Sequence, residues 1–155
     1  MVHECIDKDM KEIKDRVKIA LRILFKNDSF LLEHDVHEIS IAHKLAEYLQ
    51  ILFPDWNVDL EYNRRGKEQK RTHDRNELIR PDIIIHKRGK QDNLLVIESK
   101  KYNNCSDEDI MKLEYLTNQN NKYKYKLGLF IRFGKTSKSK HKLRWFKDGK
   151  EINKL

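Results

Sequence analysis

Arg80-Pro81-Asp82-Ile83-Ile84-Ile85-His86 and Asn93-Leu94-Leu95-Val96-Ile97-Glu98-Ser99-Lys100 read as two β-strands, joined by the polar turn Lys87-Arg88-Gly89-Lys90-Gln91-Asp92. Side chains alternate between the faces of a strand. Glu98 and Lys100 therefore point the same way as Leu94 and Val96, and Asp82, Ile84 and His86 share a face. A hairpin symmetric about residue 90 sets Asp82 opposite Glu98. Residues so opposed hold their Cβ atoms roughly 4.5–5.5 Å apart. Two carboxylates that close repel each other at the ends of strands otherwise built for burial. Lys100 relieves part of that repulsion, and a divalent cation would relieve nearly all of it.

Upstream, residues 6–26 carry Ile6, Met10, Ile13, Val17, Leu21 and Leu24 at spacings of three and four, which predicts an amphipathic helix. Asn27-Asp28-Ser29 breaks the pattern. A second helix is expected from about residue 35 to Phe53, before Pro54, with Ile41, Ala42, Leu45, Leu49 and Leu52 as its apolar stripe. Glu38 falls in the middle of that stripe, where a carboxylate is costly unless paired or bound to a metal. Either Glu38 joins the strand carboxylates, or the helix begins at Glu38 and leaves it solvated. His34, His37 and His43 do not form a zinc motif, because the two that flank the helix start are six residues apart rather than four.

Asn57–Asn63 alternates as a first strand, and residues 64–79 follow as a loop with six basic side chains, Arg64, Arg65, Lys67, Lys70, Arg71 and Arg75. Phosphate contact is the preferred use of that loop, with a mobile polar loop as the alternative. After the hairpin, Ser106-Asp107-Glu108-Asp109 reads as a helix start, and Ile110, Leu113, Leu116 and Thr117 form the helix's packing side. Lys112 lies off the centre of that side, within reach of a nucleic-acid backbone or of water, with water as the preferred neighbour. Residues 123–133 read as a strand, which a strand-helix-strand unit places parallel to its neighbour. Leu143–Lys147 is a last strand entering a turn at Asp148-Gly149. Trp145, between Arg144 and Lys147, reads as a core anchor in preference to a ring that stacks on a base. The order is β-β-β-α-β behind N-terminal helices, an α/β domain.

Pro81-Asp82, then Glu98-Ser99-Lys100 at the end of an apolar strand, resembles the PD-(D/E)XK nuclease superfamily. The hairpin, the helical Glu38 upstream and the helix downstream strengthen the likeness, which covers roughly residues 30–133. It implies a restriction-endonuclease-like core, a central mixed β-sheet flanked by helices. On that basis one domain spans residues 1–155: an N-terminal helix (1–28), a core (30–133) and a basic C-terminal hairpin (134–155). It further implies Mg²⁺, or Mn²⁺ in its place, held by Asp82, Glu98, the Ser99 main-chain carbonyl and Glu38. Lys100 would then orient and help deprotonate the attacking water, or stabilise the transition state electrostatically.

The 155 residues carry a net charge of +8. The basic excess belongs to residues 122–155, which hold 12 Lys and Arg against Asp148 and Glu151. Such a patch suits a polyanion or serves as a solubilising surface. The expected nucleic-acid contacts are Arg64, Arg65, Lys67, Lys70 and Arg71 with Lys138, Lys140 and Lys142. No apolar run approaches the roughly 18–20 residues of a membrane span, and the N-terminus lacks a signal-peptide core. Cys5 and Cys105 read as thiols of a reducing compartment. A cytoplasmic protein acting on DNA is expected, with a dimer or larger assembly as the arrangement that would let so small a domain cut both strands. The competing readings are a non-cleaving nucleic-acid-binding or assembly module and a protein-binding domain in which Glu98 and Lys100 are a structural ion pair.

Overall fold

The computed structural model describes residues 2–34, 36–62, 64–65, 68–69, 78–102, 104, 107–136 and 139–152; at 2–7, 64–65 and 68–69 it describes the backbone alone. Helix α1 spans Val2–Glu33, longer than the 6–26 that its periodicity predicts. The break at Asn27-Asp28-Ser29 appears as a kink, with Asp28 at φ −128°, ψ 27°. The helix resumes because tertiary contacts hold it: Tyr48 donates its hydroxyl to the Asp28 carboxylate, and Leu32 is buried. Helix α2, Glu38–Leu52, buries Ile41, Ala42, Leu45, Ala46 and Leu49 and stops at Phe53.

Strand β1 covers Asn57–Leu60, ending where Glu61 takes φ 45°. The expected loop that follows contains a two-residue ladder, β2 (Arg64–Arg65) against β3 (Glu68–Gln69). Next come β4 (Ile83–His86), β5 (Asn93–Lys100), helix α3 (Asp107–Thr117), β6 (Leu127–Arg132), β7 (Lys142–Lys147) and β8 (Lys150–Ile152). The main sheet has six strands in the order β1-β4-β5-β6-β7-β8. It is mixed: β5 and β6 run parallel, and the other neighbouring pairs are antiparallel. The chain is thus an α/β domain whose sheet is flanked by three helices.

The β4–β5 register is the one expected, with Ile83 opposite Ile97, Ile84 opposite Val96 and Ile85 opposite Leu95. It shifts between Ile85 and His86, which pairs with Asn93. The extra residue on β5 is Leu94, which packs with the cluster containing Leu95 rather than the one containing Val96. A bulge puts consecutive side chains on one side, so Leu94 leaves the face it was expected to share with Glu98. Ile83, Ile85, Leu95 and Ile97 pack in one cluster with α1 and α2. Ile84 and Val96 join Leu113 and Leu116 of α3 in the other. Residues 123–126 fall outside β6, contrary to expectation. Lys124 has φ 49°, and the Tyr125 N–H donates to the Leu116 carbonyl instead of a strand.

Gly128 lets α3 approach β6, since a Cβ there would stand 2.9 Å from Thr117 Cγ2. Trp145 is buried, as expected of a core anchor. The β7–β8 turn has positive φ at both Asp148 and Gly149, the requirement of a tight hairpin. Among the described residues, no helix is long and apolar enough to cross a membrane.

Candidate active site

The candidate residues gather at the carboxyl end of β5. One step beyond the Ile83–Ile97 pair, the antiparallel register brings Asp82 across from Glu98 on the face toward α3. Asp82 Oδ2 accepts the Ser99 N–H at 2.8 Å and the Ser99 hydroxyl at 3.2 Å. On the other side, the Lys100 carbonyl accepts the Phe133 N–H. Since N–H and C=O of one strand residue point to the same side and alternate along the chain, the Ser99 carbonyl is directed to the side of Asp82.

Glu98 is 1 % exposed. Burial, then the neighbouring Asp82, push its carboxyl up to about 8, and Lys112 offsets only part of this. Asp82 is likewise raised, chiefly by burial. Lys112 is not the solvated side chain expected. Its Nζ stands 3.0 Å from Glu98 Oε1 and 3.3 Å from Asp109 Oδ1. The first contact has ion-pair distance but lies off the axis of a hydrogen bond, so Glu98 Oε1 is buried without an aligned donor. Lys100 reaches Asp109 Oδ2 at 3.4 Å and Glu38 Oε2 at 3.6 Å. Burial lowers the Lys100 pKa, but Asp109 and Glu38 together raise it further, and it stays above its ordinary value.

Helix α2 does begin at Glu38, yet the side chain is not left to solvent. Its Oε1 accepts the Lys101 N–H at 3.2 Å and Asn104 Nδ2 at 3.0 Å. It is part-exposed and tied to the end of β5 rather than buried in the helix stripe. The cluster therefore holds four carboxylates, Glu38, Asp82, Glu98 and Asp109, against two ammonium groups, Lys100 and Lys112.

Asp109 and Lys112 are the members that the sequence reading missed. Their spacing of three residues in the first turns of α3 was visible, but their partner on β5 depends on how α3 docks. Among the described residues no three His, Cys, Asp or Glu side chains are grouped to hold a metal ion. Lys112 stands between Glu98 and Asp109, and its ammonium supplies the positive charge there. The donor set is all oxygen, as Mg²⁺ prefers, and the unaligned Glu98 Oε1 suits a cation better than another carboxylate. Such an oxygen set could hold a hard divalent ion only if Lys112 were displaced from its place between Glu98 and Asp109.

A cleft of about 980 Å³ adjoins this cluster, lined by the last turn of α1, the start of α2, Asp82, Lys101, Tyr102 and Lys135 among others. Of the expected nucleic-acid contacts, Lys140 is exposed on the β6–β7 connection and Lys142 at the start of β7, and Gly134 and Lys135 of that connection border the cleft. The structure describes only the backbone of Arg64 and Arg65, and Lys67, Lys70, Arg71 and Lys138 lie outside the described residues.

His86 shares no role with this cluster. Its Nε2 lies 2.8 Å from Asp59 Oδ2, which also meets Arg88. This network stitches β1 to β4. Burial raises the Asp59 carboxyl, but Arg88 and His86 outweigh it and hold it below its ordinary range. Compared with family models, curated proteins and solved structures, the chain matches none.

Proposed function

We propose that this protein is a metal-dependent nuclease of PD-(D/E)XK type on a restriction-endonuclease-like core, hydrolysing phosphodiester bonds in DNA. The observation that carries the reading is the register placing Asp82 across from buried Glu98, with Lys100 two residues on along the same face. Asp82, Glu98, the Ser99 carbonyl and Glu38 would hold Mg²⁺ or Mn²⁺. The bound ion would lower the pKa of water and stabilise charge on phosphoryl oxygens. Within the protein, Asp82 is positioned by the Ser99 N–H, and Glu38 by Lys101 and Asn104.

Lys100 is held in its charged form by Asp109 and Glu38 despite burial. That favours electrostatic stabilisation of the transition state over proton abstraction as its role. Asp109 is then a positioning residue, because it touches Lys100 rather than the reacting atoms. The basic residues Lys140 and Lys142 would draw in the phosphate backbone, and a homodimer would present two such sites.

One observation favours the second reading, a non-cleaving nucleic-acid-binding module: the Lys112–Glu98 contact already gives the buried carboxylate a partner. Thermal unfolding with added Mn²⁺ or Mg²⁺ separates the two. The nuclease reading requires a metal-dependent rise in Tm for wild type that Asp82→Ala abolishes. No rise in wild type would favour the non-cleaving module.

A further inference from the structure

We propose that the cleft beside Asp82 and Glu38 seats a single nucleic-acid strand, with Tyr102 as the stacking platform for a base and Lys101 and Lys135 as phosphate contacts. The inference rests on the nuclease reading for its placement of the scissile phosphate at the carboxylate cluster, and it names the substrate class of that site. Tyr102 follows directly on β5 and Lys101, lines the cleft and is 40 % exposed. Lys135 Nζ stands over the Tyr102 ring, 5.3 Å from its centre, so a base would stack on the ring's other face or displace that ammonium toward a phosphate.

A second π surface comes from α1. His34 lines the cleft and is stacked on Phe30, with ring centroids 3.7 Å apart and planes at 18°. Phe30 itself is 63 % exposed. Aromatic platforms interleaved with cations along a groove are the physical means of holding unpaired bases, whose faces are free. In a duplex those faces are already stacked, and reaching one costs the energy of flipping it out.

Four carboxylates also line the cleft, Glu33, Glu38, Glu61 and Asp82. Glu38 and Asp82 are engaged by Lys100, the Lys101 N–H, Asn104 and Ser99. Glu33 and Glu61 are exposed, as is Lys135, so water and salt screen charges of both signs at the cleft mouth.

Fluorescence anisotropy with labelled oligo(dT), and with a hairpin duplex of matching length, tests the seat in EDTA and again in Ca²⁺. Wild type should prefer the single strand. Tyr102→Ala should weaken oligo(dT) binding about 5- to 150-fold, the equivalent of ~1–3 kcal/mol per stacked base, and leave duplex binding unchanged. Tyr102→Phe, which keeps the ring, should bind nearly as wild type. Lys135→Ala should reduce the salt slope by about one contact. Equal binding of oligo(rU) would assign the seat to single strands of either sugar, and preference for oligo(dT) would assign it to DNA.

Unchanged single-strand affinity in Tyr102→Ala, or equal losses for strand and duplex, overturns the inference. Mg²⁺-dependent cutting that ignores Tyr102 would sink the seat and spare the nuclease reading. Tyr102-dependent binding without cutting would do the reverse.

Discussion

Replacing Glu98 by Gln should make the metal-free protein more stable at pH 8, although it removes a central residue of the proposed site. The Glu98 carboxyl moves from an ordinary 4.5 to about 8 in the folded chain, through burial first and the Asp82 charge second. A group whose folded pKa exceeds its unfolded one binds more proton when folded. Stability therefore falls as pH rises from about 4.5 to about 8. At 1.36 kcal/mol per pKa unit, the loss is on the order of 3 kcal/mol at pH 7 and on the order of 5 above pH 8.

Glu98→Gln recovers only part of this, because its amide is also desolvated and Lys112 loses a partner. A gain of about 2–3 kcal/mol at pH 8 corresponds to a rise in Tm of about 4–12 °C for a domain of this size. At pH 5 the difference should shrink to within about 1 kcal/mol. The assay is thermal and urea unfolding, followed by circular dichroism, at both pH values in the presence of a chelator. A variant that is less stable than wild type at pH 8, by as much as or more than at pH 5, would refute the electrostatic reasoning.

Lys112→Met should act in the opposite sense. It leaves Glu98 and Asp109 without their shared ammonium, but Glu98 can take up a proton in its place, so the cost should be small at pH 8 and grow to about 1–2 kcal/mol by pH 9.5. In the double variant with Glu98→Gln most of that cost should disappear, and a double-mutant cycle in urea measures the coupling. A coupling near zero would mean that the contact carries no weight. His141 is pushed down to about 4 by burial, against Phe25 and Phe133, with Nδ1 accepting the Gly134 N–H. Its folded pKa is below the unfolded value of 6.5. Its contribution is therefore present above pH 6.5 and lost as pH falls toward 4. An NMR titration of the imidazole should find it neutral at pH 5.5, and a midpoint near 6.5 would contradict its burial.

The hairpin was legible because its pattern carries its own register. Branched apolar residues fix two strands, the polar turn fixes the centre, and Asp82 and Glu98 fall opposite each other by counting. Leu94 was misread because a bulge leaves no mark in an alternating apolar run. Helix α1 outran its periodicity because Tyr48, distant in sequence, anchors Asp28. Glu38 was read as buried in the apolar stripe of its helix, and the structure does not place it there. It starts its helix, as the solvated alternative held, yet it is fastened to the end of β5 by the Lys101 N–H and Asn104. Lys112 could not be placed from the sequence. Its partner Glu98 lies on another element, and the pairing depends on Gly128 and Thr117 letting α3 settle closely on the sheet.

The central claim is metal-dependent phosphodiester cleavage at the Asp82–Glu98–Lys100 cluster. Incubation of plasmid and labelled single-stranded DNA with Mg²⁺ or Mn²⁺, beside Glu98→Ala and Lys100→Ala, tests it most directly. The account predicts cutting by wild type that requires the metal and is lost in both variants. Cutting that persists in Glu98→Ala, or no cutting of either substrate by a wild type that still binds DNA, would contradict it.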